Sequence, residues 1–576
     1  MIRRASRLAI LVAVAGFVHA GAPASAADGE VVVGRTFSGN YLAGRLAYSV
    51  KDTSAAATFF RGALAIDPEA TQLYDDTLIL ELASGHEEEA AKLATRMVKM
   101  DGRNRLARLL LGVRSFRARQ YAEARKHLAE LDGSPLSELT AGLLSAWTYL
   151  GAGDAKGAAE ALKGIDASSS EELAKLKAYH AGLIAEMTGD KAGAEAQFAV
   201  AYDTDGKVLR VVQAYARALA ANGKTDEARK VLDSFDSVLP GHPLIVAERA
   251  EIDAGRAPAS DIISPQDGAA EVFYGLGSAL GRDAADRLGT IYLQLATMLD
   301  SDFPLALITL ASHFEEDGNY AEAIAIYDRV SQKSPLWLST QIARARDLGD
   351  LERADEAVEV LSKLTEQNPG SAEAPVALGD ILRDQKRYAE AVRAYTQGIA
   401  RSAPIEQKDW VLFYFRGMSN ERAKDWPSAE ADLQRALELQ PDHPFVLNYL
   451  GYSWVDQGLH LEKALEMIKR AVELRPNDGY IVDSLGWAYY RLGRYDEAAE
   501  ELERAVKLRP QDPILNDHLG DAYWRAGRRT EARFQWNHAR DLGPEAADLP
   551  KILDKIENGL AELEQTSRAA SAGNGG

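Results

Sequence analysis

The chain has no cysteine among its 576 residues. It therefore cannot form disulfides, thiolate zinc sites or iron–sulfur clusters, and it offers no cysteine as a nucleophile or for a lipid anchor. Basic residues are scarce relative to acidic ones, 66 against 86, which leaves a formal charge of −20. Because nucleic acids and anionic membrane surfaces attract basic proteins, we expect neither of them as a partner.

The sequence also has no long apolar run. A short one lies near the N-terminus. A basic start is followed by an apolar run at residues 8–18 and by small side chains at residues 24–26. The run is shorter than the ~20 residues that a membrane-spanning helix needs. The pattern predicts a cleaved signal peptide over residues 1–26, with an uncleaved anchor as the alternative. We expect the mature chain to have no integral membrane segment and to lie outside the cytoplasm.

The rest of the sequence repeats with a period of about 34 residues, the spacing of a stacked helical hairpin. Glycines, alanines and prolines recur at this interval, for example Gly417, Gly451, Gly486 and Gly520, then Ala464, Ala498 and Ala532, then Pro441, Pro476 and Pro510. Small residues let two helices approach closely, and each proline ends the second helix of a pair. A single hairpin cannot bury its apolar face alone, so the pattern predicts an all-α stack of helix pairs.

The period is interrupted once, near residues 241–267, where glycines and prolines indicate a loop. Residues 268–300 return to helical spacing and are interpreted as a degenerate repeat. The sequence therefore predicts two arrays of repeats and a capped end: residues 40–255, a linker at 256–267, residues 268–546, a capping helix at 547–563 and a disordered tail at 564–576.

Signals of catalysis are weak. The histidines are scattered, and none of His443, His460, His518 and His538 pairs with another at the i, i+4 spacing of a zinc-binding helix. No phosphate-binding loop or nucleophile motif stands in a matching context. The sequence predicts no enzyme, no metal site and no cofactor, and His518 is interpreted as a surface or packing residue.

The strongest repeats carry a recognisable motif. Leu450-Gly451 with Trp454, Leu485-Gly486 with Tyr489, and Leu519-Gly520 with Tyr523 each place an aromatic residue one turn after a Leu-Gly pair. Together with the periodic alanines and prolines, this pattern resembles the tetratricopeptide repeat. The resemblance implies a right-handed superhelical solenoid of helix pairs that binds other proteins or extended peptides on its concave face.

The first helix of each pair lines that face. Counted from the glycine, the side chains that point there lie one turn before it and at one, four and five residues after it. Rings and polar groups in such positions suit an extended peptide. The predicted binding residues are Phe445, Asn448, Tyr452, Asp456, Tyr480, Asp483, Trp487, Tyr490, Arg491, Asp517, Asp521, Trp524 and Arg525. For Trp487 and Trp524 the alternative is a role in sealing adjacent helices, which we favour for Trp454.

Three segments, 447–452, 483–487 and 518–521, are similar to the C-terminal repeats of an exported bacterial tetratricopeptide family. One kind of member is a lipoprotein adaptor that presents substrates to a periplasmic carboxyl-terminal processing protease. The resemblance implies a non-catalytic scaffold in the periplasm that serves an envelope protease or a cell-wall hydrolase system. The missing lipid-anchor cysteine is a departure from that family. An assembly or export helper that binds outer-membrane or polysaccharide-secretion components is the alternative.

Overall fold

The computed structural model describes residues 31–131, 133–166, 171–202, 208–280 and 287–561. The predicted signal peptide at 1–26 and the predicted tail at 564–576 lie outside these residues. The described chain forms 30 α-helices and two short 3-10 helices, and it contains no strand. The all-α prediction is confirmed. None of the described helices is both long enough and apolar enough to span a bilayer.

The chain divides into two compact units, Met1–Asn319 (unit 1) and Tyr320–Gly576 (unit 2). The helices of unit 1 are α1 Phe37–Ser49, α2 Thr53–Ile66, α3 Tyr74–Ala83, α4 Glu87–Met100, α5 Arg105–Arg117, α6 Tyr121–Leu128, α7 Pro135–Gly151, α8 Ala155–Lys163, α9 Glu171–Met187, α10 Lys191–Tyr202, α11 Leu209–Ala221, α12 Thr225–Asp236, α13 Pro243–Asp253, α14 Pro265–Leu280, α15 Leu288–Leu299 and α16 Pro304–Asp317. A 3-10 turn at Thr71–Leu73 precedes α3.

Unit 2 continues with paired helices and ends on a single one. Its helices are α17 Tyr320–Tyr327, α18 Trp337–Asp350, α19 Ala354–Gln367, α20 Glu373–Asp384, α21 Tyr388–Arg401, α22 Trp410–Arg422, α23 Trp426–Leu439, α24 Pro444–Gln457, α25 Leu461–Leu474, α26 Gly479–Arg491, α27 Tyr495–Leu508, α28 Pro513–Arg525, α29 Arg529–Asp541 and α30 Leu549–Asn558. The second 3-10 turn, Gln407–Asp409, precedes α22.

The recurring glycines explain the period. In the pair α26–α27, a Cβ atom on Gly486 would lie 2.5 Å from Cγ of Leu502, and in α28–α29 a Cβ on Gly520 would lie 2.4 Å from the ring of Trp536. The facing alanines Ala498 and Ala532 are fully buried. The two helices of a pair therefore touch at positions where any larger residue would separate them.

The interruption in the repeats has a structural cause. Helices α14 and α15 pack against each other and against the first helices α3, α5, α7 and α9 of four successive pairs. Phe273 and Leu293 are fully buried there, and a Cβ on Gly268 would lie 2.3 Å from the ring of Trp147. The hairpin α14–α15 thus lies on the face that the first helices of unit 1 form.

This placement differs from the domain boundaries that the sequence suggested. The sequence analysis assigned residues 268–300 to the second array, whereas the hairpin α14–α15 belongs to the core of unit 1 and the division falls after Asn319. The physical reason is that α14 buries side chains around most of its circumference, as Ala269, Ala270, Val272 and Phe273 show. A helix that is apolar on several sides is enclosed by neighbours and does not begin a new stack.

Candidate partner-binding groove

The predicted binding residues lie on α24, α26 and α28, the first helices of the last three pairs in unit 2. In unit 1 the corresponding face is covered by α14 and α15. The face formed by the first helices of unit 2 is therefore the candidate partner-binding groove of this chain. The structure brings some of the predicted residues together there, assigns others to the rim, and covers a third set with the chain's own C-terminal helix.

A stack of three rings lies at the centre of the groove. Trp487 is stacked on His518, with ring centroids 4.3 Å apart and planes inclined by 20°, and on Tyr490, at 4.7 Å and 12°. Nδ1 of His518 lies 3.0 Å from each carboxylate oxygen of Asp483. The structure thus unites three predicted residues, on α26, with a histidine from α28. These contacts fix the orientation of the Trp487 ring from the side of the neighbouring helix.

His518 is a groove residue that the sequence analysis did not select. It is nearly buried, with 12% of its side chain exposed. The sequence contains one sign of this role: His518 follows Asp483 by 35 residues, the length of one repeat. Residues one repeat apart lie on adjacent first helices, so an acid and a histidine at that spacing are candidates for an inter-repeat pair.

The charge of His518 is set by its surroundings. Burial, the largest single effect, lowers the pKa of its imidazole, but the carboxylates of Asp483, Asp521 and Asp517 together raise it by more, so that the pKa lies above its usual value of 6.5. Proton binding by His518 is therefore stronger in the folded chain than in the unfolded one, and the protonated form stabilises unit 2.

We expect a pH-dependent loss of that stabilisation. It is fully present below about pH 6.5, the unfolded value, and it disappears as the pH rises through the higher folded pKa. The difference in melting temperature between the parent chain and His518→Asn should therefore shrink as the pH rises above about 6.5. Asn537→Ala, which changes a side chain on α29 that does not titrate, is the control and should show no such trend. A constant difference for His518→Asn would show that its charge contributes nothing.

On the adjacent helices α24 and α26, two polar atoms are buried without a partner. Oδ1 of Asn448 and Nε1 of Trp487 are shielded from solvent and have no hydrogen-bond partner among the described residues. They lie on the adjacent first helices α24 and α26. Buried polar groups are normally paired, and unpaired ones in a native fold require an explanation. Oδ1 of Asn448 is an acceptor and Nε1 of Trp487 is a donor, so they can pair with the N–H and the carbonyl oxygen of a peptide backbone.

The remaining predicted residues of α24 and α26 lie around this centre. Burial raises the pKa of Tyr452 to about 12, so its hydroxyl stays neutral and able to donate. The other four have contacts within the chain: Arg475 lies over the ring of Phe445 at 4.9 Å, the Tyr480 hydroxyl donates to Asp512 at 3.1 Å, and Arg491 donates to the backbone carbonyl of Asp456 at 2.8 Å. Tyr480, which is 50% exposed, marks the rim.

The predicted residues of α28 do not form an open face. Nζ of Lys555, on α30, lies 2.7 Å from Oδ2 of Asp517 and 2.8 Å from Oδ1 of Asp521. A Cβ on Gly559 would lie 2.1 Å from the ring of Trp524, so the chain after α30 rests directly on that indole. The sequence pattern predicts a groove position for Trp524, whereas in the structure its ring packs against the chain that follows α30. Its neighbour Arg525 leaves Nε buried and unpartnered.

Models of known sequence families match three segments of unit 2. The tetratricopeptide repeat model matches residues 342–404 and 416–479, and a TPR repeat model matches residues 486–527. The last of these segments contains the ring stack. The repeats predicted from the period are thereby confirmed in unit 2 as tetratricopeptide repeats.

Two known proteins are similar over part of the chain. Tetratricopeptide repeat protein 13 of Homo sapiens is 28% identical over 175 residues, which is 30% of this chain and 20% of that protein. The TPR repeat-containing protein PA4667 of Pseudomonas aeruginosa is 27% identical over 165 residues, 27% of each chain. The chain thus covers well under half the length of either relative.

Solved structures of similar architecture include the APC/C hetero-tetramer Cut9–Hcn1, with a TM-score of 0.37 and 15% identity over 92% of this chain and 97% of that one. Yeast Tom70 has a TM-score of 0.33 and 12% identity over 91% of this chain and 95% of that one.

Among the described residues no three histidine, aspartate or glutamate side chains gather as a metal site.

Proposed function

We propose that this chain, whose second unit carries tetratricopeptide repeats, is a non-catalytic scaffold that holds an extended segment of a partner protein in the groove of unit 2. The observation that carries the proposal is the pair of buried, unpartnered atoms, Oδ1 of Asn448 and Nε1 of Trp487. A partner backbone would supply an N–H group to the first and a carbonyl oxygen to the second. Recognition through the backbone suits an extended segment and tolerates variation in its side chains.

The electrostatics of the groove indicate what kind of segment fits. The acids of its centre are paired within the chain, Asp483 with His518 and Asp456 with Arg491. The rings of Tyr452 and Tyr490 lie on the same two helices, α24 and α26. A groove of neutralised charges and aromatic rings favours a peptide with apolar or aromatic side chains over a highly charged one.

For the location and the partner, our proposal follows the sequence. The basic start, short apolar run and small residues of segment 1–26 support export, and we propose the periplasm as the site of action. The similarity of segments 447–452, 483–487 and 518–521 to adaptor repeats supports a role in presenting substrates to a carboxyl-terminal processing protease or to a cell-wall hydrolase system. Capture of that protease from periplasmic extract is the expected result, whereas capture of outer-membrane or secretion components alone would favour the export helper.

The groove itself is tested by removing the two atoms separately. Asn448→Ala deletes the acceptor, and Trp487→Phe deletes the donor while keeping a stacked ring. Each should weaken the binding of the captured partner by about tenfold, the effect of one lost hydrogen bond to a group that is then left unpaired. The affinities can be measured by isothermal titration calorimetry.

The matched control is Asn537→Ala on the second helix α29, where the side chain only donates to its own helix, at the carbonyl of Arg533. It should leave the affinity unchanged. Equal affinities for the parent chain, Asn448→Ala and Trp487→Phe would show that the partner binds elsewhere.

A further inference from the structure

The C-terminal helix α30 occupies groove positions of the last repeat. Its Lys555 holds both Asp517 and Asp521, which stand at the same repeat positions as Asn448 and Tyr452 two repeats earlier. Nε1 of Trp536 also donates to Asp521, at 2.9 Å. The side chain of Asp521 is 8% exposed, and that of Lys555 is 17% exposed. A carboxylate this buried requires a cation beside it, and α30 delivers that cation.

The helix is held by few other contacts. Only Ile552 is buried on α30, whereas α28 buries seven residues. Ile556 and Leu560 are half-buried against the same core, and Leu553 is 45% exposed. Because local stability follows buried apolar area, α30 is expected to open at a lower free energy than the helix pairs beneath it.

Opening of α30 would uncover a distinct combination of groups. Asp517 and Asp521 would lose their cation, and the indole of Trp524 would lose the cover of Gly559. Two carboxylates favour an ammonium or guanidinium group through charge-assisted hydrogen bonds. The adjacent indole also attracts cations, since the guanidinium groups of Arg529 and Arg533 lie 5.1 and 5.6 Å from its centre. Oδ1 of Asp517 has no hydrogen-bond partner in the described structure even when Lys555 is in place.

We propose that α30 is a removable lid on the end of the partner groove, and that the partner segment which displaces it places a lysine or arginine side chain where Lys555 now lies. The part that concerns a partner rests on the proposed function of the groove. The lid itself does not, since it concerns only α30 and α28. With α30 closed, the groove ends at the ring stack, and with α30 open it extends by one repeat.

The test uses the chain's own lid as the probe. A labelled synthetic peptide with the sequence of residues 545–561 is added to full-length Lys555→Glu and Lys555→Ala chains, whose resident lids lack the cation. We expect the peptide to bind both, as followed by fluorescence anisotropy, and to bind the parent chain at least tenfold more weakly. There the tethered lid competes at an effective concentration of about a millimolar.

Controls distinguish the contact made by the Lys555 ammonium group from non-specific binding of the peptide. Full-length Lys551→Glu carries the same charge change on the solvent side of α30, where Lys551 is 71% exposed, and it should behave like the parent chain. A peptide in which Lys555 is replaced by arginine should bind the two Lys555 variants, and one with methionine there should not. The lid proposal is overturned if the parent peptide binds neither Lys555 variant. It is also overturned if the methionine peptide binds them as tightly as the parent peptide. Neither result bears on Asn448 and Trp487, so the two proposals fail separately.

Discussion

Replacing Glu271 by alanine should destabilise unit 1 by about 3 kcal/mol or more, because the change leaves a buried guanidinium without its main partner. Glu271 is 1% exposed and forms two parallel hydrogen bonds of 3.0 Å with Arg210, itself 9% exposed. It also accepts from the Tyr179 hydroxyl at 2.9 Å. Since Glu271 lies on α14 and its partners lie on α9 and α11, the loss falls on the contact that holds the hairpin in place.

The loss should make the hairpin α14–α15 open more often. Hydrogen exchange of the amides in residues 265–299, followed by mass spectrometry, measures that opening directly. The control Glu251→Ala removes a carboxylate that pairs with Arg256 at the surface of the same unit, at 2.7 Å, and it should leave the stability of unit 1 nearly unchanged, because solvent screens an exposed ion pair. Replacing Arg210 and Glu271 together by methionine should recover most of the loss. An effect of Glu271→Ala no larger than that of Glu251→Ala would mean that the buried network does not hold the hairpin.

Replacing Trp454 by alanine should cost unit 2 about 3–5 kcal/mol, the range for a fully buried large aromatic residue. Its ring is 1% exposed, and its Nε1 donates to Glu430 at 2.7 Å. The substitution leaves a cavity between α24 and α25 and an unpaired carboxylate on α23. The midpoint of urea unfolding, followed by circular dichroism, reports the change.

Tyr480→Ala is the control, because the Tyr480 ring is half exposed at the rim of the same groove. It should cost about 1 kcal/mol, since it removes only surface contacts, those of the Tyr480 side chain with Asp512 and Arg509. Trp524→Ala should resemble Trp454→Ala in direction, since that ring seals α30. If Trp454→Ala left the unfolding midpoint unchanged, the assignment of Trp454 to the sealed interior of the stack would be wrong.

The helix pairs of unit 2 could be predicted because their determinants are local and periodic. Gly451, Gly486 and Gly520 each face the second helix of their own pair, so a single repeat contains the information. A single repeat also shows why Trp454 and Trp487 differ. Trp454 points to the interior of the stack, whereas Trp487 points to the groove. Position within the repeat decides which side chain faces which neighbour.

The features that escaped prediction depend on contacts between distant segments. Glu271 and Arg210 are 61 residues apart, and Gln294 donates to the carbonyl of Ala83 across 211 residues. No repeat-level pattern states that α14 and α15 cover the first helices of unit 1. In the same way, Trp524 has the sequence position of a groove residue, and only the return of the chain at Gly559 covers it.

Site-specific photo-crosslinking in the producing cell tests the central claim most directly. A photoreactive residue is introduced in turn at Tyr452, on the groove side of α24, and at Lys469, on the second helix α25, where 37% of the side chain is exposed. We expect adducts with a partner protein from position 452 and none from position 469. Adducts from position 469 alone, or none from position 452, would contradict the claim that the first helices of unit 2 hold the partner.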